Sequence, residues 1–445
     1  MTELIVADHV WTGDAEGTVL SPGVIEVNEG RIVSTAAVTG PRPSGTGVTD
    51  LGEAIVMPGL VNSHAHTPMS LMRGVAEGVS LLTMVGFLGT LRSREAHLTP
   101  DMVRASVAVS CADMIRHGTT AFADQYFYAD QIMPTVVESG LRARIAWGIV
   151  ELGDDDARAR ELAATAAFIA SSLDDPLVRG WVGPHAFFVD NQPEAIRAEV
   201  EMAERFGVGL HAHFSTSSEE DEHCLAEYGR PALAVMKDLG LLELPLILAH
   251  CNTLPAEQLP ILSGTRATIS IIPSVAMVSG APAAPVREAL DAGVNVAIGS
   301  DNPCNNTTAD LFEEMRTLGK LATFASKVPN QVTSREILAI ATVGGHRALD
   351  GGPDDGRLVP GAVADLIAIP VDEVYRGPVG AQSLESALVY CTSGASVGSA
   401  MVGGRWLMRD RAVGTLDVPA ALAQQQRDYD TLLRRMRAAE SKRTR

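Results

Sequence analysis

The chain has 445 residues, of which 46% are hydrophobic, and it carries a formal net charge of −19 at pH 7. Because a single hydrophobic core stops growing at roughly 250–300 residues, this length predicts a second domain or large insertions. So acidic a surface repels nucleic acid and anionic membranes, and we therefore expect neither as a partner.

The first 56 residues read as short strands separated by turns, without helical periodicity. Apolar runs lie at 4–7, 23–27 and 31–33, and the stretch 40–50 is rich in Gly, Pro, Ser and Thr, which is typical of a loop. We therefore expect residues 1–56 to belong to a small β domain.

From residue 57 to residue 357, short apolar runs alternate with amphipathic helical stretches. The predicted strands are 121–123, 143–147, 178–182, 207–210, 246–249, 267–271 and 294–298, and the helices between them include 102–117, 156–172, 193–206 and 285–291. This alternation favours a parallel sheet covered by helices. Seven or eight such units fit a closed (β/α)8 barrel better than an open doubly wound sheet, so we expect 57–357 to form a barrel.

Strands return after residue 358. They are predicted at 366–369, 386–390 and 400–402, with a hairpin turn at Gly403-Gly404. We expect 358–415 to complete the small domain begun by 1–56, and 416–445 to form a C-terminal helix. The predicted fold class is α/β, a (β/α)8 TIM-like barrel with a small β-sandwich domain built from both chain ends.

Cysteine usage and apolar runs indicate the compartment. The five cysteines are far apart and form no C-x-x-C pair, which is typical of a reducing cytoplasm rather than of a disulfide framework or a zinc knuckle. No run reaches ~18 uninterrupted apolar residues, and no basic start precedes an apolar run at the N-terminus. We therefore expect a cytoplasmic protein without a membrane span or signal peptide.

Polar residues follow several of the predicted barrel strands at the point where each strand ends. His64 and His66 are two residues apart, so on a strand both imidazoles point to one side. His213, His250 and Asp301 close three later apolar runs. A single histidine at a strand end is more often structural than catalytic. Because the active sites of (β/α)8 barrels lie at the C-terminal ends of the strands, these signals together favour one shared metal site.

A set of motifs runs through nearly the whole chain: 57–66, 70–74, 116–120, 183–186, 248–251, 299–302, 310–316 and 360–366. Together they resemble the amidohydrolase superfamily, and within it the branch of S-adenosylhomocysteine/methylthioadenosine deaminases and triazine chlorohydrolases. The resemblance implies a metal-dependent hydrolase that acts on non-peptide C–N bonds. It also implies a homo-oligomer, a dimer or larger, because members of this branch commonly assemble.

The resemblance further implies how the site residues are used. It assigns three imidazoles and one carboxylate to a single divalent metal: His64, His66, His213 and Asp301. This donor set suits Zn²⁺ best, with Fe²⁺, Mn²⁺ or Ni²⁺ as alternatives. In the implied mechanism, Asp301 accepts a proton from metal-activated water and His250 stabilises the developing oxyanion. Four further side chains are placed against a small-molecule substrate: His185, Thr216, Arg73 and Asn302.

One position departs from the pattern of the family deaminases. These carry a glutamate three residues after the metal-binding histidine of this strand, where it transfers a proton, but this chain has Thr216. A threonine cannot transfer that proton at neutral pH, and such assistance is worth about 10²–10⁴-fold in rate. Three explanations are open: Glu219 or Glu220 replaces the missing acid, the substrate does not need it, or the chain has lost the reaction.

The leading functional hypothesis is a hydrolytic deaminase of a nitrogen heterocycle of the purine, pterin, triazine or cyclic amidine type. One alternative is a hydrolase of another C–N or C–halogen bond in specialised metabolism. Another is a catalytically retired binding protein, since a fold alone does not imply a function. The retained set of histidines and Asp301 argues against this last alternative.

Overall fold

The computed structural model describes residues 2–80, 84–375 and 382–443. The end of the predicted C-terminal helix, 444–445, lies outside the described residues, as do 81–83 in the predicted barrel and 376–381 in the predicted β domain. Within the described part, β-sheets from both ends of the chain flank a barrel that is covered by helices.

The first strands follow one another through short turns: β1 Glu3–Ala7, β2 His9–Trp11, β3 Val19–Leu20, β4 Gly23–Asn28, β5 Arg31–Ala37, β6 Val48–Asp50 and β7 Ala54–Pro58. Burial alternates along β4, as expected for a strand with one face on a core. Four of these strands form one sheet in the order β5-β4-β1-β6.

Eight parallel strands form the barrel in the order in which the chain makes them: β8 Leu60–Ala65, β9 Thr119–Tyr126, β10 Arg142–Ile149, β11 Val178–Pro184, β12 Leu210–Phe214, β13 Leu246–His250, β14 Ala267–Ile271 and β15 Asn295–Ile298. Most of their residues are buried, because helices cover the outside and side chains fill the interior. The first and last strands meet where the backbone N–H of Asp301 donates to the carbonyl of His64 at 2.9 Å. This contact closes the barrel at the end where the site residues lie.

Four more strands follow the barrel: β16 Leu366–Pro370, β17 Ser399–Val402, β18 Arg405–Arg409 and β19 Ala412–Val413. β16 pairs antiparallel with β7, with Leu366 opposite Pro58, so one seven-stranded sheet contains both chain ends. Buried residues from both ends, among them Ile25, Val56 and Met401, share a second hydrophobic core. The predicted fold class is therefore confirmed, while the predicted domain bounds stay a prediction.

Helices cover the barrel and connect its strands. In the described residues they are α1 Met84–Glu95, α2 Pro100–Arg116, α3 Ala129–Ser139, α4 Asp155–Ser172, α5 Pro193–Phe206, α6 Glu219–Tyr228, α7 Ala232–Asp238, α8 Pro273–Ser279, α9 Val286–Asp291, α10 Leu311–Ser326, α11 Ser334–Ala339, α12 Gly345–Ala348, α13 Val371–Val374, α14 Leu384–Tyr390 and α15 Val418–Arg443. A π-helical turn, Ile340–Gly344, separates α11 from α12, and 3₁₀ helices lie at Thr67–Met72, Leu241–Glu243, Ala256–Ile261 and Gly394–Ser396. As far as the chain is described, no helix combines the length and apolarity that crossing a bilayer requires.

The apolar run 386–390 was predicted as a strand, and this prediction is wrong because the run lies in helix α14. The side chain of Ser383 caps the first turn, which starts the helix one residue later. Leu384, Ala387 and Leu388 then share one buried helix face at the spacing i, i+3 and i+4. Over a run this short, periodicity does not distinguish a buried strand from a buried helix.

The strand predicted at 207–210 begins too early. Gly207 ends helix α5 in the left-handed conformation with φ 64°, which glycine adopts without steric cost. The strand β12 starts only at Leu210 and continues to Phe214. Both histidines of this segment, His211 and His213, therefore lie within the strand and not beyond its end.

Candidate metal centre and active site

Four barrel strands carry the predicted site residues to the same end of the barrel. β8 ends beside His64 and His66, and β12 carries His213. β13 ends at His250, and Asp301 lies just beyond the end of β15. All five side chains are buried. Because parallel strands place their carboxyl ends at one rim of a barrel, residues far apart in the sequence meet there.

The side-chain atoms of these residues converge. His66 Nε2 lies 3.2 Å from Asp301 Oδ1 and 3.2 Å from His213 Nε2. His64 Nε2 lies 3.4 Å from the same carboxylate oxygen. A further set offers one potential ligand atom each, all within 4.8 Å of one another: His64, His213, His250 and Asp301. The structure therefore brings the four predicted metal ligands and His250 together.

Three of the imidazoles have their second nitrogen, Nδ1, held by a neighbouring group. The partner is the carbonyl of Gln125 for His66 at 2.5 Å, and the carbonyl of His185 for His213 at 2.6 Å. A carbonyl only accepts, so these two Nδ1 atoms carry the proton and each Nε2 has a free lone pair. His64 Nδ1 lies 2.8 Å from Nε2 of His211. Such outer contacts are typical of histidines that bind metals.

His250 differs from the other three imidazoles. Its Nδ1 is buried and has no hydrogen-bond partner among the described residues, so none of them fixes its tautomer. Its ring centroid lies 5.4 Å from that of His64 and 5.5 Å from that of His213. The rings of His250 and His213 are stacked. The imidazole of His250 therefore lies beside the converging nitrogen atoms, and its Nδ1 is not engaged by the described residues. It can adopt the tautomer that a ligand requires.

The backbone at two of the strand ends is in the left-handed region. His250 has φ 78°, Cys251 has φ 53° and Asp301 has φ 59°. This conformation costs a non-glycine residue of order 1–2 kcal/mol, and it persists only where the surrounding structure holds it. Here the N–H of Cys251 donates to the carbonyl of Phe214 at 3.0 Å, in the same way that Asp301 bonds to β8. The backbone thus takes this conformation at two of the residues whose side chains meet in the centre, His250 and Asp301.

Burial and charge set the protonation of the centre. Burial holds the pKa of His64 down to about 3 and that of His213 well below its usual range. For Asp301, burial favours the neutral acid, but the imidazoles of His64 and His66 outweigh it and hold the carboxyl pKa well below the ordinary value. For His66, burial lowers the pKa, but the carboxylate of Asp301 outweighs it and raises the pKa. Because neutral imidazoles and ionised carboxylates are the forms that bind metals, a metal would take the place of a proton on His66.

A divalent metal fits this arrangement. His64 Nε2 and Asp301 Oδ1 are buried atoms without a hydrogen-bond partner of good geometry, although leaving such groups unsatisfied is costly. His66 Nε2 and His213 Nε2 lie 3.2 Å apart, and with both Nδ1 atoms protonated this contact needs a cation between the two nitrogens, either a proton or a metal. Three imidazole nitrogens and one carboxylate oxygen are a donor set that Zn²⁺ accepts, and water would take a fifth coordination position.

A cavity that is open to solvent, with about 610 Å³ of space including its mouth, leads to this centre. Its described lining is mainly apolar, with Met69, Phe87, Leu88, Leu91 and Phe127, and its polar members include Arg92, Glu95, Gln125 and Tyr126. Three of the predicted substrate contacts also line it: His185, Thr216 and Asn302. An apolar pocket with a few converging polar groups is the usual form of a small-molecule site.

The fourth predicted substrate contact, Arg73, lines a different space. It borders a cavity of about 310 Å³ that shares His66 and Asp301 with the larger one. Its guanidinium pairs with Asp113 at 3.5 Å and donates to the carbonyl of Thr307. The structure therefore does not bring Arg73 into the larger cavity, because these two partners hold it outside.

Sequence reasoning missed the helix that covers the cavity. Helix α1 supplies Phe87, Leu88, Leu91, Arg92 and Glu95 to the lining. A signal was present, because apolar residues at 84, 87, 88 and 91 follow the helical spacing i, i+3, i+4 and i+7. Glu95 also accepts a hydrogen bond from the hydroxyl of Tyr126 at 2.8 Å, a contact that only the folded chain reveals.

Comparison with known proteins places the chain in a family. The model of the amidohydrolase family matches residues 55–407. The chain belongs to the amidohydrolase family. A 5-methylthioadenosine/S-adenosylhomocysteine deaminase from Moorella thermoacetica is 34% identical to this amidohydrolase over 411 residues, which cover 92% of this chain and 95% of the relative. A 5'-deoxyadenosine deaminase from Methanosarcina barkeri is 33% identical over 444 residues, 98% of this chain and 100% of the relative.

Solved structures agree with the fold of this amidohydrolase. An adenosine deaminase from Xanthomonas campestris with bound zinc superimposes with a TM-score of 0.89 at 26% identity, covering 96% of this chain and 98% of that chain. A zinc complex of atrazine chlorohydrolase from Arthrobacter aurescens has a TM-score of 0.86 at 24% identity, covering 96% and 99%. The family match and the relatives identify the chain as an enzyme, a hydrolase of non-peptide C–N bonds.

Proposed function

We propose that this amidohydrolase is a metal-dependent deaminase of a nitrogen heterocycle of the purine, pterin, triazine or cyclic amidine type, with Zn²⁺ as its metal. The observation that carries the proposal is the convergence of three imidazole nitrogens and the Asp301 carboxylate at one end of a 610 Å³ cavity. Two curated relatives named as deaminases of adenosine derivatives support the reaction class.

Each residue has a defined part in this reaction. The metal would be held by one set of side chains: His64, His66, His213 and Asp301. When bound there, a divalent metal supplies an activated water, whose pKa falls from about 16 towards 7. The ionised carboxylate of Asp301 would be the group that accepts a proton from the attacking water. The imidazole N–H of His250 donates to the negative charge that develops on the substrate.

The transfer of a proton to the leaving group is atypical, because Thr216 stands where the related deaminases are expected to carry a glutamate. Thr216 lines the cavity, and its hydroxyl has no partner in the described part of the protein, so it is available to a substrate. Burial raises the pKa of Glu220 well above the usual range, which favours its protonated form, but its carboxyl is bonded to the backbone N–H of Ser215 and Glu220 is not among the described residues that line the cavity. We therefore infer that Glu220 does not reach the leaving group, and that the substrate has a leaving group that departs without an acid at this position.

The same substitution favours a second candidate function. A leaving group that departs as an anion, such as a halide, needs no proton from the enzyme, so Thr216 suits hydrolysis of a C–halogen bond. The product distinguishes the two reactions, because deamination releases ammonia and dehalogenation releases halide.

A substrate screen tests the proposal. The metal-loaded protein is incubated with purines, pterins, triazines and cyclic amidines, with halogenated compounds among them, and ammonia, halide and product mass are measured. Deamination replaces NH with O and raises the mass of the substrate by about one unit, whereas ring opening adds a whole water. Release of halide with no ammonia would select the second candidate, and no product from any compound would contradict both.

Two histidine variants test the division of roles. His213→Ala removes an imidazole whose Nε2 faces the centre, so we expect metal content well below one equivalent per chain and no activity. His250→Gln should retain the metal, because His250 is not proposed as a ligand, and should lower kcat by about 10²–10³-fold. Elemental analysis and steady-state kinetics measure both. Loss of metal from His250→Gln would make His250 a ligand and contradict its proposed role.

We also propose that the protein is a cytoplasmic homo-oligomer. Its five cysteines are unpaired, and four of them are buried, which suits a reducing compartment. Phe324 is 73% exposed and Val328 is 51% exposed, which supports contact with a second copy. Sedimentation equilibrium measures the mass in solution, and a monomer at micromolar concentration would contradict the assembly.

A further inference from the structure

A buried carboxylate beside the cavity takes no part in the reaction described above. The side chain of Asp190 is fully buried, and its Oδ2 accepts from Nδ1 of His185 at 2.7 Å and from Nη2 of Arg92 at 2.9 Å. Its Oδ1 accepts from the backbone N–H of Ala186 and from Nδ2 of Asn191, both at 3.2 Å. Four donors therefore converge on one carboxylate, and two of them belong to residues that line the cavity.

The contact with Asp190 determines which nitrogen of His185 is left for a ligand. A carboxylate only accepts, so Nδ1 of His185 carries a proton and donates it to Asp190. The guanidinium of Arg92 already balances the charge of this carboxylate. Nε2 of His185 is then the nitrogen that is left for a ligand, and the ring lies at the cavity wall, 5.0 Å from the ring of His213. In the tautomer that the contact with Asp190 selects, Nε2 accepts a hydrogen bond from the ligand.

The contact with Arg92 joins helix α1 to the barrel. Arg92 lies one turn before the end of α1, whose Phe87, Leu88 and Leu91 cover the cavity. Asp190 lies in the loop after β11, on the rim of the barrel. The pair combines an arginine side chain that is 38% exposed with a carboxylate that is 0% exposed, so its loss leaves a buried charge with one partner fewer.

We propose that Asp190 is a positioning residue with two effects: it holds His185 with Nε2 free to accept an N–H of the substrate, and it anchors helix α1 over the cavity through Arg92. The first effect rests on the proposed function and adds a substrate preference to it. An accepting Nε2 favours heterocycles that carry a ring N–H, such as lactams. The second effect concerns the protein alone.

Measurements without substrate test both effects. Hydrogen–deuterium exchange reports the stability of α1, and we expect at least about tenfold faster exchange across 84–95 in Asp190→Asn and in Arg92→Met, but not in His185→Ala. The ¹⁵N shifts of the His185 imidazole report its tautomer. They should show a protonated Nδ1 in the wild type and in Arg92→Met, and a changed tautomer in Asp190→Asn. Unchanged exchange or an unchanged tautomer in Asp190→Asn would overturn the corresponding effect.

Kinetics in the Arg92→Met background isolate the effect on the substrate, since the helix anchor is already lost there. Asp190→Asn should lower kcat/KM by a further factor of about ten when His185 is present. With His185→Ala, the same change should lower it by less than about twofold, because its target is gone. Equal factors in both backgrounds would overturn the role through His185. Failure of the deaminase proposal would leave the exchange and tautomer results standing, so the two are separable.

Discussion

Glu199 is a carboxyl group whose buried surroundings disfavour its charged form. It lies in helix α5, its side chain is fully buried, and within the described residues neither carboxylate oxygen has a hydrogen-bond partner. Burial raises its pKa well above the usual range, and the nearby charges of Asp190 and Glu151 raise it further. The folded protein therefore keeps Glu199 protonated at pH values where the unfolded chain has lost the proton.

Replacing this group should stabilise the protein in a pH-dependent way. Because the pKa of Glu199 is higher in the folded than in the unfolded state, its contribution to stability falls as pH rises above the unfolded value of about 4.3. Glu199→Leu removes that loss, and we expect a gain of about 1–3 kcal/mol at pH 8 and a smaller gain at pH 5, measured by urea unfolding. Glu199→Gln, which keeps an unsatisfied polar group, should gain less. An equal gain at both pH values would mean that the pKa is not raised.

At the scale of the element, the barrel strands could be predicted because buried parallel strands are short, continuous apolar runs. The site residues could be predicted for a related reason. His64, His213 and Asp301 are polar where such runs end, and the topology of a barrel brings those ends together. The secondary structure of the run 386–390 could not be predicted correctly, since it depends on the cap at Ser383 and on the helices beside it.

The contacts that refine the site could not be predicted at all. The carbonyl of Gln125 that holds His66, and the Asp190 carboxylate that joins His185 to Arg92, link residues from separate elements. Sequence spacing does not predict such contacts, because they depend on how the loops and helix α1 pack on the barrel. The fold and the set of converging ligands could thus be predicted from the sequence. The tautomers of the histidines and the position of helix α1 over the cavity could be seen only in the structure.

Two glycines in helical segments should respond in opposite ways to alanine. Gly344 lies in the π-helical turn against β15, where an added methyl group would overlap the carbonyl oxygen of Val296. Gly344→Ala should therefore destabilise the protein by about 1–3 kcal/mol. Gly89 lies in α1 with open space around it, so Gly89→Ala should stabilise by about 0.5–1 kcal/mol. Thermal unfolding measures both. A Gly344→Ala variant that is not destabilised would contradict the packing described against β15, and a destabilised Gly89→Ala variant would contradict the open space described at α1.

At the scale of the whole molecule, a buried ion pair joins the barrel to the small β domain. Arg142, the first residue of β10, donates from Nε and Nη2 to the two carboxylate oxygens of Asp365 at 2.9 and 3.1 Å. Asp365 precedes β16 and also accepts from the backbone N–H of Gly403 at 2.7 Å. Burial alone would lower the pKa of Arg142, but the charge of Asp365 outweighs it and raises the pKa. One carboxylate thus connects three segments of the chain.

Breaking this pair should weaken the whole fold. Arg142→Met leaves the Asp365 carboxylate, whose side chain is 1% exposed, without its counter-charge, and we expect a loss of about 3–5 kcal/mol in the free energy of unfolding. Arg230→Met is the matched control, since Arg230 and Asp238 are about half exposed and such a pair contributes about 0–1 kcal/mol. Removing both buried charges, in Arg142→Met with Asp365→Leu, should cost less than Arg142→Met alone, because no uncompensated charge remains. Urea unfolding of the four proteins gives these differences. If Arg142→Met and Arg230→Met were equally mild, the barrel and the β domain would be held together by apolar contacts, and the buried pair would only fix their orientation.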